Sequence, residues 1–328
     1  MEYTLPNTLA NWPWPRRVNP HYDTIAPVSA AWVESFRAMS PSAQKAFNAC
    51  KFGLLAAMFY PAADEKKYRR GCDLQNVFFI IEEFTDTQKG EEVQHVVDIV
   101  MDTLRNPHEP RPEGELLIGK IIQEFWLLAI EDTSEVWQDR FIDTFQRYMD
   151  SNYRQASDRD VGHIRDLETY MEWRRENIGV WPTIVLYELD SDLPPEIYDH
   201  PLVQEICIDA TDLVIIDNDI VSYNVEQARG DTHNILCVVM NELSLDLQDA
   251  LDWTAKKHQE IASAFLSKLA ALPSFGEDYD RKLKSYISAV AQVVTAGGHW
   301  SFECERYFGK AGMQIQKHRK FVLLPKKK

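Results

Sequence analysis

Basic charge is the first thing this chain has little of. Its 328 residues carry 35 Lys and Arg against 51 Asp and Glu, a formal net charge of −16. That balance argues against nucleic-acid binding, which depends on Lys and Arg clusters that neutralise phosphates. Cysteine is also sparse. Cys50, Cys72, Cys207, Cys237 and Cys304 show neither close pairs nor a zinc-type spacing and read as reduced core residues. No run of 18 uncharged apolar residues occurs, and no apolar stretch follows a basic segment near the start, so neither a membrane span nor secretion is expected. The expected location is the cytoplasm. Alternating segments bounded by Asn-Gly or Asp-Gly are missing, which removes the main hairpin signal. There is no G-x-S-x-G elbow, P-loop or HExxH, Gly297-Gly298 lacks dinucleotide spacing, and the nine histidines form no ligand pair.

What is present is helical periodicity in a chain that is 45% hydrophobic. Ser40 and Pro41 read as an N-cap and first helical residue, followed by Ala46, Phe47, Cys50, Leu54 and Ala57 at mostly three- and four-residue steps. Leu116 to Ile130 carries Leu117, Ile121, Phe125 and Leu128 on one stripe, widened by Trp126 and Leu127, which predicts a central helix. Residues 1 to 25, rich in proline, read as an irregular arm with Trp12 and Trp14 capping the core. Breaks fall at 106–113, 191–195 and 273–277, none long enough to separate domains. The expectation is an all-α fold in a single domain over 1–328, with a flexible tail from 315 to 328.

Three clusters carry polar chemistry. Asn218, Ser222 and Glu226, each four apart, project from one helical face as a ladder of oxygens with neighbours about 6 Å apart. Such hard donors suit Mg²⁺, which also holds phosphate; the plainer reading is a solvated stripe with Ser222 bonded back to its helix. The adjoining run Leu213-Val214-Ile215-Ile216 turns the stripe inward, where unpaired polar groups are costly. Upstream, an apolar helix from Cys72 ends in a carboxylate cluster in which Glu82 and Asp86 share a face. Arg174 and Arg175 are by themselves ordinary solvent-facing helix cations, and Arg306-Tyr307 reads as a surface Arg beside a half-buried Tyr.

The string Asn218-Asp219-Ile220-Val221-Ser222-Tyr223-Asn224-Val225-Glu226-Gln227-Ala228-Arg229-Gly230-Asp231 resembles the second metal-binding motif of class I terpene synthases, in particular the sesquiterpene synthases of mushroom-forming fungi. The Glu82–Asp86 cluster stands where that family has its aspartate-rich motif, with Glu82 in place of the usual Asp. The family also places a diphosphate-sensing Arg four residues before a Gly at a helix break, which maps to Arg175 and Gly179, and a terminal Arg-Tyr, which maps to Arg306 and Tyr307. The N-terminal arm resembles the family as well, so the likeness runs from residue 12 to residue 307.

The resemblance implies a single-domain terpene synthase helical bundle around a central apolar cavity. It implies a sesquiterpene synthase acting on farnesyl diphosphate with Mg²⁺, three ions in all, as a monomer or homodimer. Glu82, with Asp86 assisting, would hold one side of the metal cluster, and Asn218, Ser222 and Glu226 the other. Arg175, Arg306 and Tyr307 would donate to the leaving diphosphate, while Phe78, Phe79 and Trp300 offer aromatic faces to a carbocation or simply fill the core. Two alternatives stand beside this: a chain-elongating prenyltransferase, disfavoured by the Asn-Ser-Glu ladder, and a non-catalytic helical protein derived from a synthase, suggested by Glu82.

Overall fold

A computed structural model describes residues 2–326. In chain order the elements are β1 (Glu2–Thr4), α1 (Tyr22–Ser35), α2 (Pro41–Ala49), α3 (Phe52–Phe59), α4 (Glu65–Thr85), α5 (Gly90–Arg105), α6 (Leu117–Ala129), α7 (Glu135–Val161), α8 (Leu167–Asn177), α9 (Val180–Ser191), α10 (Pro195–Tyr198), α11 (Pro201–Arg229), α12 (Ile235–Leu243), α13 (Leu247–Ala270), α14 (Glu277–Glu303), α15 (Gly312–His318) and β2 (Lys320–Val322). The chain is all-α, as its periodicity predicts; β1 and β2 form one short antiparallel pair. The three expected breaks fall at the junctions of α5 with α6, α9 with α10 and α13 with α14, and the chain also breaks at turns elsewhere. Ser40 caps α2, accepting from the Ala43 amide at 3.3 Å, and α6 covers the Leu116–Ile130 stripe.

The helices form two compact units. One comprises Arg17–His163 with Gly179–Asp190, and α4 is its axis. From Tyr68 to Ile81 that helix is buried except for Arg69 and Phe79, so its polar residues need partners. Asp73, 1% exposed, receives Arg69 Nε at 2.8 Å on both oxygens and Ser29 Oγ at 2.5 Å. Aromatic rings fill the core: Trp126, Trp137, Phe141 and Phe145 stack in sequence, and Phe78 lies parallel to Phe145 with centroids 5.8 Å apart. Helix α9 is tied in through the polar tips of aromatic side chains. Trp137 donates to the Val185 carbonyl, Tyr60 to that of Thr183, and Tyr187 to that of Phe59.

The other unit runs up to Arg16, then Ile164–Ile178, then from Ser191 onward, and is built on α11 packed against α13 and α14. The N-terminal arm lies along α14. Trp12 Nε1 donates to the Ala291 carbonyl at 3.2 Å and Trp14 Nε1 to Ser288 Oγ at 3.0 Å, both indoles meeting Phe265 edge-on. Arg16 grips Glu303 bidentately at 2.6 and 2.7 Å. The segment expected to be a flexible tail is ordered from 315 to 322. It forms the end of α15 and β2, because Phe321 is buried against Tyr3 and Phe308 and because Leu5 donates to the Arg319 carbonyl. Lys327 and Lys328 lie outside the described residues.

Candidate active site

Helix α11 starts with Pro201 at its first position and stops where Gly230 turns left-handed at φ 84°. In between, the apolar residues from Val203 to Ile216 bury the helix and carry Asp217, Asp219 and Ser222 inside with them. Asn218, half-buried, uses both ends of its amide. Its Oδ1 accepts from Arg174 Nη2 at 2.7 Å, and its Nδ2 donates to the Tyr307 hydroxyl at 3.0 Å. One residue of the ladder thus bonds to two side chains from distant parts of the chain, a guanidinium that donates to it and a phenol that accepts from it.

Asp219, 1% exposed, is the anchor of this arrangement. It accepts from the Tyr170 hydroxyl, from the Ile235 amide at the start of α12 (2.9 Å), and from Arg174 Nε and Nη2 at 3.3 and 3.1 Å. Arg174 is further fixed by Asn177 Oδ1 at 2.8 Å. Burial works to lower the Arg174 pKa, but the charge of Asp219 outweighs it and the guanidinium stays protonated. Burial, then the Asp219 charge, pushes the Tyr170 phenol well up, so it remains a donor.

Arg175 points elsewhere. Its fork meets Asp212 at 2.7 and 2.8 Å, which raises its pKa, and the side chain is 31% exposed. The structure therefore brings Arg174, rather than Arg175, to the ladder. Tyr307 is buried at the foot of Trp300, ring centroids 5.9 Å apart and perpendicular, and the Arg306 guanidinium lies 5.8 Å from the Tyr307 ring centroid.

Further along α11, Ser222 Oγ lies 3.5 Å from the Asp219 carbonyl and accepts a 3.4 Å contact from Asn234 Nδ2, which also donates to Glu226 Oε2 at 2.8 Å. Burial, reinforced by the charges of Asp219 and Asp231, pushes the Glu226 carboxyl up to about 8. Its bonds to Asn234 and Ser222 offset only part of that. Among the described residues no three His, Cys, Asp or Glu converge on a metal position. The ladder offers instead one carboxylate with an amide and a hydroxyl oxygen, a sparse hard set of the kind that leaves coordination positions to water and phosphate. The donor chemistry fits a divalent cation: the Glu226 carboxyl, pushed up by burial and by the nearby Asp219 and Asp231 charges, would give up its proton to bind one, and Asn218 Oδ1 already attracts a guanidinium.

In the α4 unit, Glu82 sits half-buried in the last turn of α4 and Asp86 is its exposed C-cap, the Asp86 amide donating to the Glu82 carbonyl at 2.8 Å. Arg159 closes the helix end by donating to the carbonyls of Thr85 and Gln88. Phe78 is buried between Phe145 and Tyr148, whereas Phe79, one residue and about 100° on, stacks on Phe52 at 3.7 Å. Gly179 stands between α8 and α9 with φ 74°, its carbonyl accepting from Thr183 Oγ1 at 2.9 Å. A Cβ there would lie 3.3 Å from the Phe78 ring.

Sequence reasoning did not single out Asp219 or Asn234. The signal for Asn234 was its place directly before Ile235-Leu236, the position of a helix N-cap. Asp219 gave none beyond lying next to Asn218.

Residues 73–263 match the family model described as terpene synthase family 2, C-terminal metal binding. A Delta(6)-protoilludene synthase of Stereum hirsutum is 46% identical over 323 residues, 98% of this chain and 88% of that protein. Sesquiterpene synthase 14 of Postia placenta is 46% identical over 325 residues, 99% and 93% of the two chains. Among solved structures, linalool/nerolidol synthase from Streptomyces clavuligerus in complex with 2-fluorogeranyl diphosphate superposes with a TM-score of 0.79 at 19% identity, covering 90% of this chain and 99% of that one. The chain belongs to the terpene synthase family and has the class I terpene synthase fold. Within that family it is a sesquiterpene synthase, a lyase that uses a divalent metal and a prenyl diphosphate.

Proposed function

We propose that the enzyme ionises and cyclises farnesyl diphosphate with three Mg²⁺ ions, releasing diphosphate, and that its product is of the protoilludene class named for its relatives. The observation that carries this reading is the Asn218 amide, bonded to Arg174 on one side and to Tyr307 on the other. On α11, Asn218, Ser222 and Glu226 hold the metal. Glu82 and Asp86 are assigned to metal by their motif, and the end of α4 suits them, since a helix C-terminus favours a nearby cation. When bound, the metal supplies Lewis-acid neutralisation of the leaving diphosphate.

The chain's own groups do the rest. Arg174 is protonated, and its guanidinium is fixed by Asp219 and Asn177, so it can donate to a diphosphate oxygen without first being ordered. Tyr307 and Arg306 donate from the α14 end, and Arg175 is the neighbouring guanidinium that Asp212 holds in reserve. Gly179 takes a left-handed turn just before α9, and its carbonyl accepts from Thr183 Oγ1. Trp300, Phe78 and Phe79 present rings rather than nucleophiles, which stabilise positive charge and exclude water.

The test is incubation of the purified protein with farnesyl diphosphate and Mg²⁺, with and without isopentenyl diphosphate, followed by mass spectrometry of the products. A tricyclic sesquiterpene hydrocarbon is expected in both arms. Elongated prenyl diphosphates in the second arm would make the protein a prenyltransferase, and unchanged substrate in both would make it non-catalytic.

A further inference from the structure

We propose that Asn234 is a positioning residue for the Glu226 carboxylate and so sets the metal affinity of the α11 ladder, an inference that rests on Glu226 being a metal ligand. Gly230 reverses the chain after α11, with the Asp231 amide closing back on the Glu226 carbonyl at 3.1 Å. The reversal returns Asn234 to the helix it has just left, where it is fully buried.

Every hydrogen-bonding atom of its side chain is engaged. Oδ1 accepts from the Leu236 amide at 2.9 Å, capping α12. Nδ2 donates one hydrogen to the Asp219 carbonyl and the other to Glu226 Oε2, both at 2.8 Å, with Ser222 Oγ a longer third contact. A primary amide has only two donor hydrogens, so the group has no spare valence and cannot swing away without leaving a buried donor unmade. The Glu226 carboxylate is therefore held in one rotamer, with Oε2 committed to Asn234. A carboxylate fixed in advance loses less freedom on binding a cation, and partners of this kind are worth roughly 10- to 100-fold in metal affinity.

The two ends of the amide have separable effects. Asn234→Ser and Asn234→Asp keep an oxygen that can cap α12 but lack the donor to Glu226, whereas Asn234→Ala loses both. The full-length protein is titrated with Mn²⁺ by electron paramagnetic resonance, with and without inorganic diphosphate, and melted by far-UV circular dichroism. In the Ser variant affinity is expected to weaken roughly 10-fold while the melting temperature stays within about 2 °C of wild type. The Asp variant, with an anion facing Glu226, shows no less a weakening than Ser, and Ala melts lowest. Wild-type Mn²⁺ affinity in the Ser variant would overturn the proposal, as would losses of affinity that track melting temperature across all three. Glu226→Ala separates this from the parent reading. If that variant binds Mn²⁺ like wild type, Glu226 is no ligand and both readings fall; if it binds weakly while Asn234→Ser binds normally, only the positioning role fails.

Discussion

Arg174 Nη2 lies 2.7 Å from Asn218 Oδ1, so a guanidinium occupies the amide oxygen assigned to the metal. Arg175, its neighbour, is instead closed into a bidentate pair with Asp212. Charge-assisted hydrogen bonds of this kind are worth about 1.5–3 kcal/mol, or roughly 10- to 100-fold in rate when they act in the transition state. Arg174→Lys is therefore expected to lose at least roughly 10-fold in kcat/KM, because a point-charge ammonium cannot serve Asp219, Asn177 and Asn218 together. Arg175→Lys, on a partly exposed pair, should be milder. Steady-state kinetics on both variants decides the matter, and the reverse order would return the diphosphate-sensing role to Arg175.

The reading of Arg175 came from counting back four residues from Gly179, and this shows where the sequence runs out. Spacing places a residue on a helical face but does not say which of two adjacent arginines an acid will capture. Asp212 and Asp219 are seven apart on α11, two turns, and each takes one guanidinium. The helical class, the capped start of α2 and the α6 stripe were legible because they depend on local periodicity and caps. The order in 315–322 was not, because it depends on Phe321 reaching Tyr3 and Phe308, contacts made with residues distant in sequence or across a turn. The buried role of Asp219 likewise exists only once α8, α11 and the start of α12 have met.

Asn218→Ala and Glu226→Ala should each remove most turnover while leaving the far-UV circular dichroism spectrum intact. The ladder has only three donor groups, so each deletion takes one of the three from the α11 set. Restoration by raised Mg²⁺ should be partial for Asn218→Ala, since Tyr307 and Arg174 also lose a partner there. Full activity of either variant at ordinary Mg²⁺ would remove its residue from the metal site.

The pH behaviour of Glu226 has a definite sign. Its folded pKa of about 8 lies above the ordinary 4.5, so between those values the folded metal-free protein binds more protons than the unfolded chain. Stability contributed by this group is thus fully present below about pH 4.5 and is lost as pH rises towards 8. Metal binding needs the anion and should release close to one proton near pH 6.5 and almost none at pH 9.5. Calorimetry in two buffers of different ionisation enthalpy measures that number directly. Glu226→Gln should abolish the release and flatten the metal-free melting temperature over the same window.

Glu82 offers the last prediction, because it is the position at which the chain departs from the motif it otherwise follows. Its carboxylate hangs from the final turn of α4, where the helix dipole disfavours an anion by about 0.3–1 kcal/mol and favours a cation beside it. The helix end is held firmly by Arg159 on the Thr85 and Gln88 carbonyls, so the backbone does not shift to make up for a shorter side chain. If the site is built around the longer glutamate, Glu82→Asp withdraws the carboxylate by one methylene and raises the Mg²⁺ concentration needed for half-maximal activity, as octahedral Mg²⁺ tolerates displacement poorly. The intact ladder and its paired donors favour this outcome over a decayed ligand, for which Asp would instead lower the requirement. Glu82→Gln keeps the length, deletes the charge and should be severely impaired. Normal Mg²⁺ dependence together with a normal product profile in Glu82→Gln would show that this carboxylate does not bind metal, and the first motif would then begin at Glu83 or rest on Asp86.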